Sequence, residues 1–291
     1  MRLLAVTVGA VLVVGGLAGC SGGSDKGERP KGGPAAERQA PPTPAASLAA
    51  VTLPGQPGPL VDLVARQSRS AGTVHAEIYT TGGEGAQKVD EKTTAQMRTG
   101  VRSPSAQLTI VDANPSEPST TEAIVTGGTV YTRVDGQEQA PGKPWVRLSR
   151  QDASNPELKP FAKLLTGMLD SVDQALAQLS TDTGLALVRN GSFKGEARTE
   201  KLDGVPVHFY SGTTPASSMK KTDPAFAALS QIGVGDIPWR LWVDDKGLPR
   251  KFQVDVATQG TKTVHAVTYK QWGEPLTIEA PPAAKVHILG G

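Results

Sequence analysis

The sequence predicts an α+β fold: one large twisted antiparallel sheet of about ten strands, curled around a single long apolar helix. Three observations predict it. Short segments alternating apolar and polar residues follow one another, separated by tight turns rich in Gly, Asn and Asp. One apolar stripe over residues 159–180 repeats at helical spacing. Helical segments are too few to alternate with the strands, which excludes a doubly wound parallel sheet.

The chain opens with an export signal. Met1-Arg2 supplies one positive charge, and Leu3 to Val14 an apolar core of about a dozen residues, as in a signal-peptide h-region. A membrane-spanning helix needs about 20 apolar residues, and Gly15, Gly16 and Gly19 interrupt this run short of that length. Leu17-Ala18-Gly19-Cys20 matches a bacterial lipobox. Small residues at 18 and 19 fit a peptidase cleft, and the Cys20 thiol is the nucleophile that accepts a diacylglycerol group. Residues 1–19 are therefore expected to be a lipoprotein signal peptide. Cys20 then carries the lipid, and its amine a further fatty acid such as palmitate. Two or more acyl chains anchor durably where one binds only reversibly. The expected address is the extracytoplasmic face of the cell membrane. Cys20 is the only cysteine, so no internal disulfide can form and stability must come from the core.

Residues 20–58 read as a lipidated, disordered tether. Gly22-Gly23, Gly32-Gly33, Pro41-Pro42-Thr43-Pro44 and Pro54-Gly55-Gln56-Pro57 alternate with mixed charges and no apolar period. Such a segment buries too little surface to offset its ordering entropy. As a coil it averages roughly 30–35 Å, enough to lift a domain off a membrane. Residues 59–291 are expected to form one domain, long enough to bury a sizeable core. The formal net charge of +2 is spread evenly along the chain, which argues against a nucleic-acid partner that needs a basic stripe.

Within the domain, Pro59 suits a first turn and Leu60, Leu63, Val64 and Ala71 share a helical face, predicting a helix from about Pro59 to Ser70. The period then changes to two. Val74, Ala76 and Ile78 alternate with His75, Glu77 and Tyr79 in a strand over Thr73–Thr80. Gln87–Thr99 and the segment around Ala106, Leu108 and Ile110 supply the next two strands. Thr121–Thr126 and Thr129–Val134 flank Gly127-Gly128, a two-residue hairpin signal. Trp145–Leu148 is a short strand. In the long helix Phe161, Leu164, Leu165, Met168, Leu169, Val172, Leu176 and Leu179 form one stripe opposite Asp170, Asp173, Gln174 and Gln178. That stripe is too apolar to stand in water, so a sheet must cover it. Ser192–Lys201 and Val205–Ser211 join through Asp203-Gly204, a second hairpin signal. Asp223-Pro224 opens a short helix. Trp239–Asp244, Pro249–Thr258, Lys262–Trp272 and Leu276–Ile278 complete a meander.

No phosphate loop, nucleophile elbow, zinc-protease motif or paired cysteines occur, and no enzyme activity and no cofactor are expected. Ser217-Ser218-Met219-Lys220 matches S-x-x-K by spacing but lacks the companion motifs and sits in a polar stretch, so a chance match is expected. His75, His208, His265 and His287 are each solitary, without the spacing of a metal site. Asp244-Asp245 lies in a turn, where Asp is common. Arg240, Arg250 and Lys251 are weighed as contacts for an anionic headgroup against the plainer reading of solubilising charges. The stripe of the long helix fits either core packing or the wall of a lipid cavity.

The block Trp239-Arg-Leu-Trp-Val-Asp-Asp-Lys-Gly-Leu-Pro-Arg250, with Tyr269-Lys-Gln-Trp-Gly-Glu-Pro275 and Pro281-Pro282, resembles the C-terminal pattern of LolA-like lipoproteins of high-GC Gram-positive bacteria, the LppX–LprA–LprF–LprG group. Val74-His75-Ala76-Glu77 after the first helix, and Gly128-Thr-Val-Tyr131 before Trp145, keep the order of that family, so the resemblance runs from about Leu60 to Pro282. It implies an antiparallel half-barrel of about 10–11 strands with helices on its concave side and a space for acyl chains between them. The implied cavity wall is Leu164, Leu165, Met168, Leu169 and Val172, facing Phe252, Val254 and Val256. The implied function is a membrane-anchored carrier of lipid or lipid-linked glycan. The alternative is an envelope protein-interaction or sensor module on the same fold, without lipid cargo and with an envelope protein as partner.

Overall fold

The computed structural model describes residues 48–83, 89–99, 105–112, 119–153, 158–159, 162–219, 234–258 and 261–288. The export signal, Cys20, most of the tether, Phe161, Lys220 and the helix expected at Asp223-Pro224 lie outside the described residues.

Helix α1 (Pro57–Ala71) starts on proline, whose fixed φ suits a first turn, and stops where Gly72 takes φ 76° and donates its N–H to Ser68 O. Its buried stripe is Leu60, Leu63, Val64 and Ala71. Ahead of it, Val51 N–H donates to Asp245 O (2.8 Å) and Leu53 packs on the core.

Six antiparallel strands follow: β1 (Thr73–Gly82), β2 (Val89–Arg98), β3 (Ser105–Asp112), β4 (Ser119–Thr126), β5 (Thr129–Val134) and β6 (Trp145–Ser149). Helices α2 (Arg150–Ala153), α3 (Ala162–Leu179) and α4 (Thr181–Arg189) come next. Strands then resume with β7 (Ser192–Phe193), β8 (Arg198–Leu202), β9 (Val205–Pro215), β10 (Asp236–Val243), β11 (Pro249–Thr258), β12 (Thr261–Lys270) and β13 (Val286–Ile288). Both expected hairpins form. Gly127 and Gly128 take φ 58° and 73°, and Asp203 and Gly204 take 51° and 80°, the positive values a two-residue hairpin turn of matching twist requires.

Among the described residues these make one open sheet of 13 strands, in the order β13-β6-β5-β4-β3-β2-β1-β12-β11-β10-β9-β7, with β8 also on β9. Every pairing is antiparallel except β13 on β6. The fold is α+β, a large, mainly antiparallel half-barrel-like sheet with a few helices. Side chains alternate across it. The helix-covered face carries rows such as Tyr210, Leu241, Phe252, Val267 and Ile78, matched strand to strand and all in the main core.

Three features depart from the sequence expectation. Leu276–Ile278 is not a strand: Leu276 and Ile278 are buried, yet the segment runs unpaired across the outer face. Proline at 275, 281 and 282 supplies no N–H for a ladder, so the chain is held by side chains instead. Thr73 Oγ1 donates to Glu274 O (2.7 Å), Arg98 to Leu276 O (2.5 Å), and Ile278 packs with Ile124, Trp145 and Val286. Second, the last strand is β13, so the sheet is larger than ten or eleven strands. Third, a separate helix, α4, follows the long one: Ser180 caps it by accepting Asp182 N–H (3.2 Å).

Candidate functional site

Helix α3 packs over β1 and β6 and against α2 and α4. Leu165, Leu169 and Leu179 are buried in the main core, with Val172 and Leu176 partly buried against it. Four of the residues that the resemblance implies as a cavity wall share this packed core. Leu165, Leu169, Phe252 and Val254 belong to one cluster, with Val172 and Val256 at its margin. The side chains of Leu164 and Met168 lie outside the described residues.

The helix-covered face differs from one end to the other. Toward β9–β12 it carries large side chains: Tyr210, Trp239, Leu241, Phe252 and Tyr269 are all buried. Helix α4 sits flush on them. Thr214 Oγ1 donates to Leu187 O (2.6 Å) and accepts Trp239 Nε1–H (3.0 Å), tying the end of α4 to β9 and β10 in a buried relay. Tyr269 donates its hydroxyl to Ser180 O (3.5 Å). Burial, with the nearby Asp182 charge, pushes that hydroxyl well above the ordinary tyrosine range, so it stays protonated.

Across β1–β4 the same face mixes alanines with Val74, Ile78, Met97, Leu108 and Val125 and, among the described residues, carries no buried aromatic. Ala76 faces Ala95, Ala95 faces Leu108 and Leu108 faces Ala123 in one row, and Ala106 lies in the next. All are buried. One row beyond Ile78 the lining turns polar: Thr80 Oγ1 and His265 Nδ1 are 3.0 Å apart, and burial holds the imidazole below its usual range. Sequence reasoning missed this pair because each residue alone is an ordinary strand position; only the β1–β12 register brings them together.

The three suggested headgroup cations do not converge. Arg240 lies on the outer face and pairs with Asp255 (3.2 Å), which also takes Lys262 (2.9 Å). Lys251 Nζ stands 5.1 Å above the Trp242 ring on that same face. Arg250 sits at the register shift between β10 and β11, 3.9 Å from Asp244. Asp244 itself is buried and accepts the N–H groups of Lys246 (3.0 Å) and Leu248 (2.9 Å), which gives it a turn-closing role. Burial raises its carboxyl pKa despite those bonds and the Arg250 charge.

Three grooves lie on the outer face or its margin. One of about 530 Å³ runs between the loop at Lys194–Glu196 and β10. One of about 310 Å³ lies on β4–β5, and one of about 180 Å³ on β1–β3. Among the described residues no three His, Cys, Asp or Glu side chains gather as a metal site, and no helix is long and apolar enough to cross a membrane. In the S-x-x-K segment, Ser218 donates to Pro215 O (2.7 Å), Met219 is fully buried and Ser217 is exposed.

No protein-family model matches the chain, and comparison with curated proteins finds no sequence match. Among solved structures, the chain is similar to LprF from Mycobacterium bovis, with 19% identity over 76% of this chain and 95% of that one, at a TM-score of 0.47. It is also similar to the lipoprotein LppX from Mycobacterium tuberculosis, with 18% identity over 76% and 98% of the two chains, at a TM-score of 0.42.

Proposed function

We propose that the chain is a membrane-anchored extracytoplasmic lipoprotein that binds and carries lipid or lipid-linked glycan between α3 and the sheet, with Cys20 as its anchor. The observation that carries this reading is the change in side-chain size along the helix-covered face. Where α4 covers large aromatics the space is filled. Across β1–β4 the alanines Ala76, Ala95, Ala106 and Ala123 alternate with Val74, Ile78, Met97, Leu108 and Val125, so the sheet contributes less volume there than the aromatics do at β9–β12, and a thin apolar chain would enter where α3 meets the sheet at β1 and β6. Leu165 and Leu169, packed in the core, would form the helix side of that channel, with Val172 at its margin. A sixteen-carbon acyl chain leaving water there gains roughly 10 kcal/mol before entropic costs, at about 0.8 kcal/mol per methylene.

The test is mass spectrometry of an organic extract of the purified protein, together with uptake of a fluorescent acyl probe. The full chain is expected to yield lipid and take up the probe. Ala123→Phe, which fills the sheet side of the channel, should reduce uptake at least tenfold while the far-ultraviolet spectrum stays native. No extractable lipid and no probe uptake would refute the carrier reading and favour a protein-binding module. A mass for the N-terminal peptide without added lipid on Cys20 would refute the anchor independently.

A further inference from the structure

A second surface stands apart from this channel. On the outer face of β8–β11, Phe209 and Trp242 stack with ring centroids 5.1 Å apart, and Val207, Val205 and Leu202 complete a small cluster. Each ring carries a cation. Arg198 Cζ is 4.8 Å from the Phe209 centroid, and Lys251 Nζ is 5.1 Å from that of Trp242. Beside them the strand is interrupted. Phe193 pairs with Gly212 and Arg198 with Phe209, so residues 194–197 loop out, pinned by Lys194 N–H to Ser211 O (2.7 Å) and Ser211 Oγ to Lys194 O (3.2 Å). That loop walls the groove of about 530 Å³, with Phe209, Ser211 and Thr213 beneath and Pro238 and Arg240 opposite.

Three carboxylates of this face have partners, although the neutral indole on Glu200 leaves its charge uncancelled. Asp255 takes Arg240 and Lys262; Glu77 takes Lys92 and Lys270, both at 3.8 Å; Glu200 accepts the Trp242 indole N–H. Among the described residues, Lys194, Arg198 and Lys251 have no carboxylate partner. With Asp255 set against Arg240, the cations Lys194, Arg198 and Lys251 stand against the carboxylates of Glu196 and Glu200, and Lys262 beside Asp255 adds a further positive charge. A ring attracts a cation but leaves its charge uncancelled, so the potential here is positive.

We propose that this face docks on the surface of an anionic phospholipid membrane, with Lys194, Arg198 and Lys251 meeting lipid phosphates. The spacing selects the occupant. From Lys251 on β11 across β10 and β9 to the Lys194 loop are three strand spacings, roughly 14 Å at about 4.8 Å each. A single phosphate cannot touch cations so far apart; a sheet of headgroups meets them all. Pro238, exposed on the groove wall, adds apolar surface that suits the lipid interface. The chain also arrives correctly. Val51 is bonded to Asp245, in the turn from which β11 and Lys251 start. About 30 residues separate Cys20 from Val51, a length of chain that lets an anchor at Cys20 and this face meet the same bilayer. Only that last point rests on the anchor reading proposed above.

The experiment uses the full chain carrying Cys20→Ser, so that no acyl anchor contributes, sedimented with vesicles of phosphatidylcholine alone or mixed with phosphatidylglycerol. Binding is expected only with phosphatidylglycerol, falling steeply with added salt. Each of Lys194→Gln, Arg198→Gln and Lys251→Gln should weaken it about fivefold, since a basic side chain near an anionic surface contributes about 1 kcal/mol. The triple variant should lose on the order of a hundredfold. Lys194→Gln touches neither ring, so its effect cannot come from a disturbed aromatic pair. Equal binding to both vesicle types, an unchanged triple variant, or full competition by soluble glycerol phosphate would overturn the proposal. Probe uptake into the channel and the mass of the Cys20 peptide are separate readouts, so failure here and failure of the carrier reading are distinguishable.

Discussion

Gly184, in the middle of α4, lies against the face of Phe252 on β11: a Cβ at that position would stand 2.8 Å from Phe252 Cδ1 and 3.0 Å from two further ring carbons. Phe252 is buried and cannot swing aside. Gly184→Ala gains about 1 kcal/mol of helix propensity but overpacks the contact, which at so close an approach costs about 2–3 kcal/mol and lifts α4 from the sheet. The expected outcome is a net loss of about 1–2 kcal/mol in urea unfolding. Equal or higher stability would mean that α4 is not seated as described.

Thr214 is fully buried and serves Leu187 O and the Trp239 indole at once. Thr214→Val keeps the shape and strands a buried carbonyl and a buried N–H, for an expected loss of about 2–4 kcal/mol. Thr214→Ser, which keeps the hydroxyl, should recover most of it. If Val and Ser behave alike in thermal melts, the relay contributes nothing.

Much of the architecture was legible in the residue pattern, because period and turn chemistry are local. Gly127-Gly128 and Asp203-Gly204 dictate their hairpins by backbone geometry alone, and the α3 stripe announces burial without naming its partner. Helix α4 escaped because its apolar residues, Leu185, Leu187 and Val188, are too few to mark a period, although Ser180 followed by Asp182 was a readable cap. The helix–sheet contact was partly legible. Leu165, Leu169, Phe252 and Val254 share one cluster, but the row Ala76, Ala95, Leu108 and Ala123 arises only from cross-strand register, and alanine carries no signal of its own. The outer face was invisible for the same reason: Phe209 and Val207 look like core residues, and only the sheet shows that they face away from it.

Arg98 reaches Leu276 O (2.5 Å) and, with Thr73, holds the segment after β12 to the outer face. Arg98 Nε is buried without a partner, so the side chain is not fully satisfied and its removal costs less than that of a fully engaged arginine. Arg98→Met should lose about 1 kcal/mol globally and free the strap locally. Tryptic cleavage after Lys285 should then run several-fold faster than in the parent chain. An unchanged digestion rate would place the restraint in Ile278 and Val286 instead, which pack with Trp145.

The Thr80–His265 pair sets an acid sensitivity with a definite sign. Burial lowers the folded pKa of His265 below the ordinary 6.5, so the unfolded chain binds its proton first. The stability that neutral His265 contributes is complete above pH of about 6.5 and declines as pH falls from there toward the folded value. Two carboxylates act lower. Burial would raise Asp255, but hydrogen bonds from Gln253 and Lys262 and the charges of Arg240 and Lys262 outweigh it, and its pKa falls. Its contribution is therefore present above the ordinary 3.8 and is lost as pH drops through the lowered value. Asp244 runs the other way: burial raises its pKa, so stability declines as pH climbs from 3.8 through the raised value. The decline on the acid side of pH 6.5 is thus His265's own. Urea unfolding at pH 7.5, 6.5 and 5.5 should show falling stability in the parent chain and a flatter profile in His265→Gln, which keeps a hydrogen-bonding partner for Thr80 without a titrating proton. Parallel profiles would remove His265 as the cause.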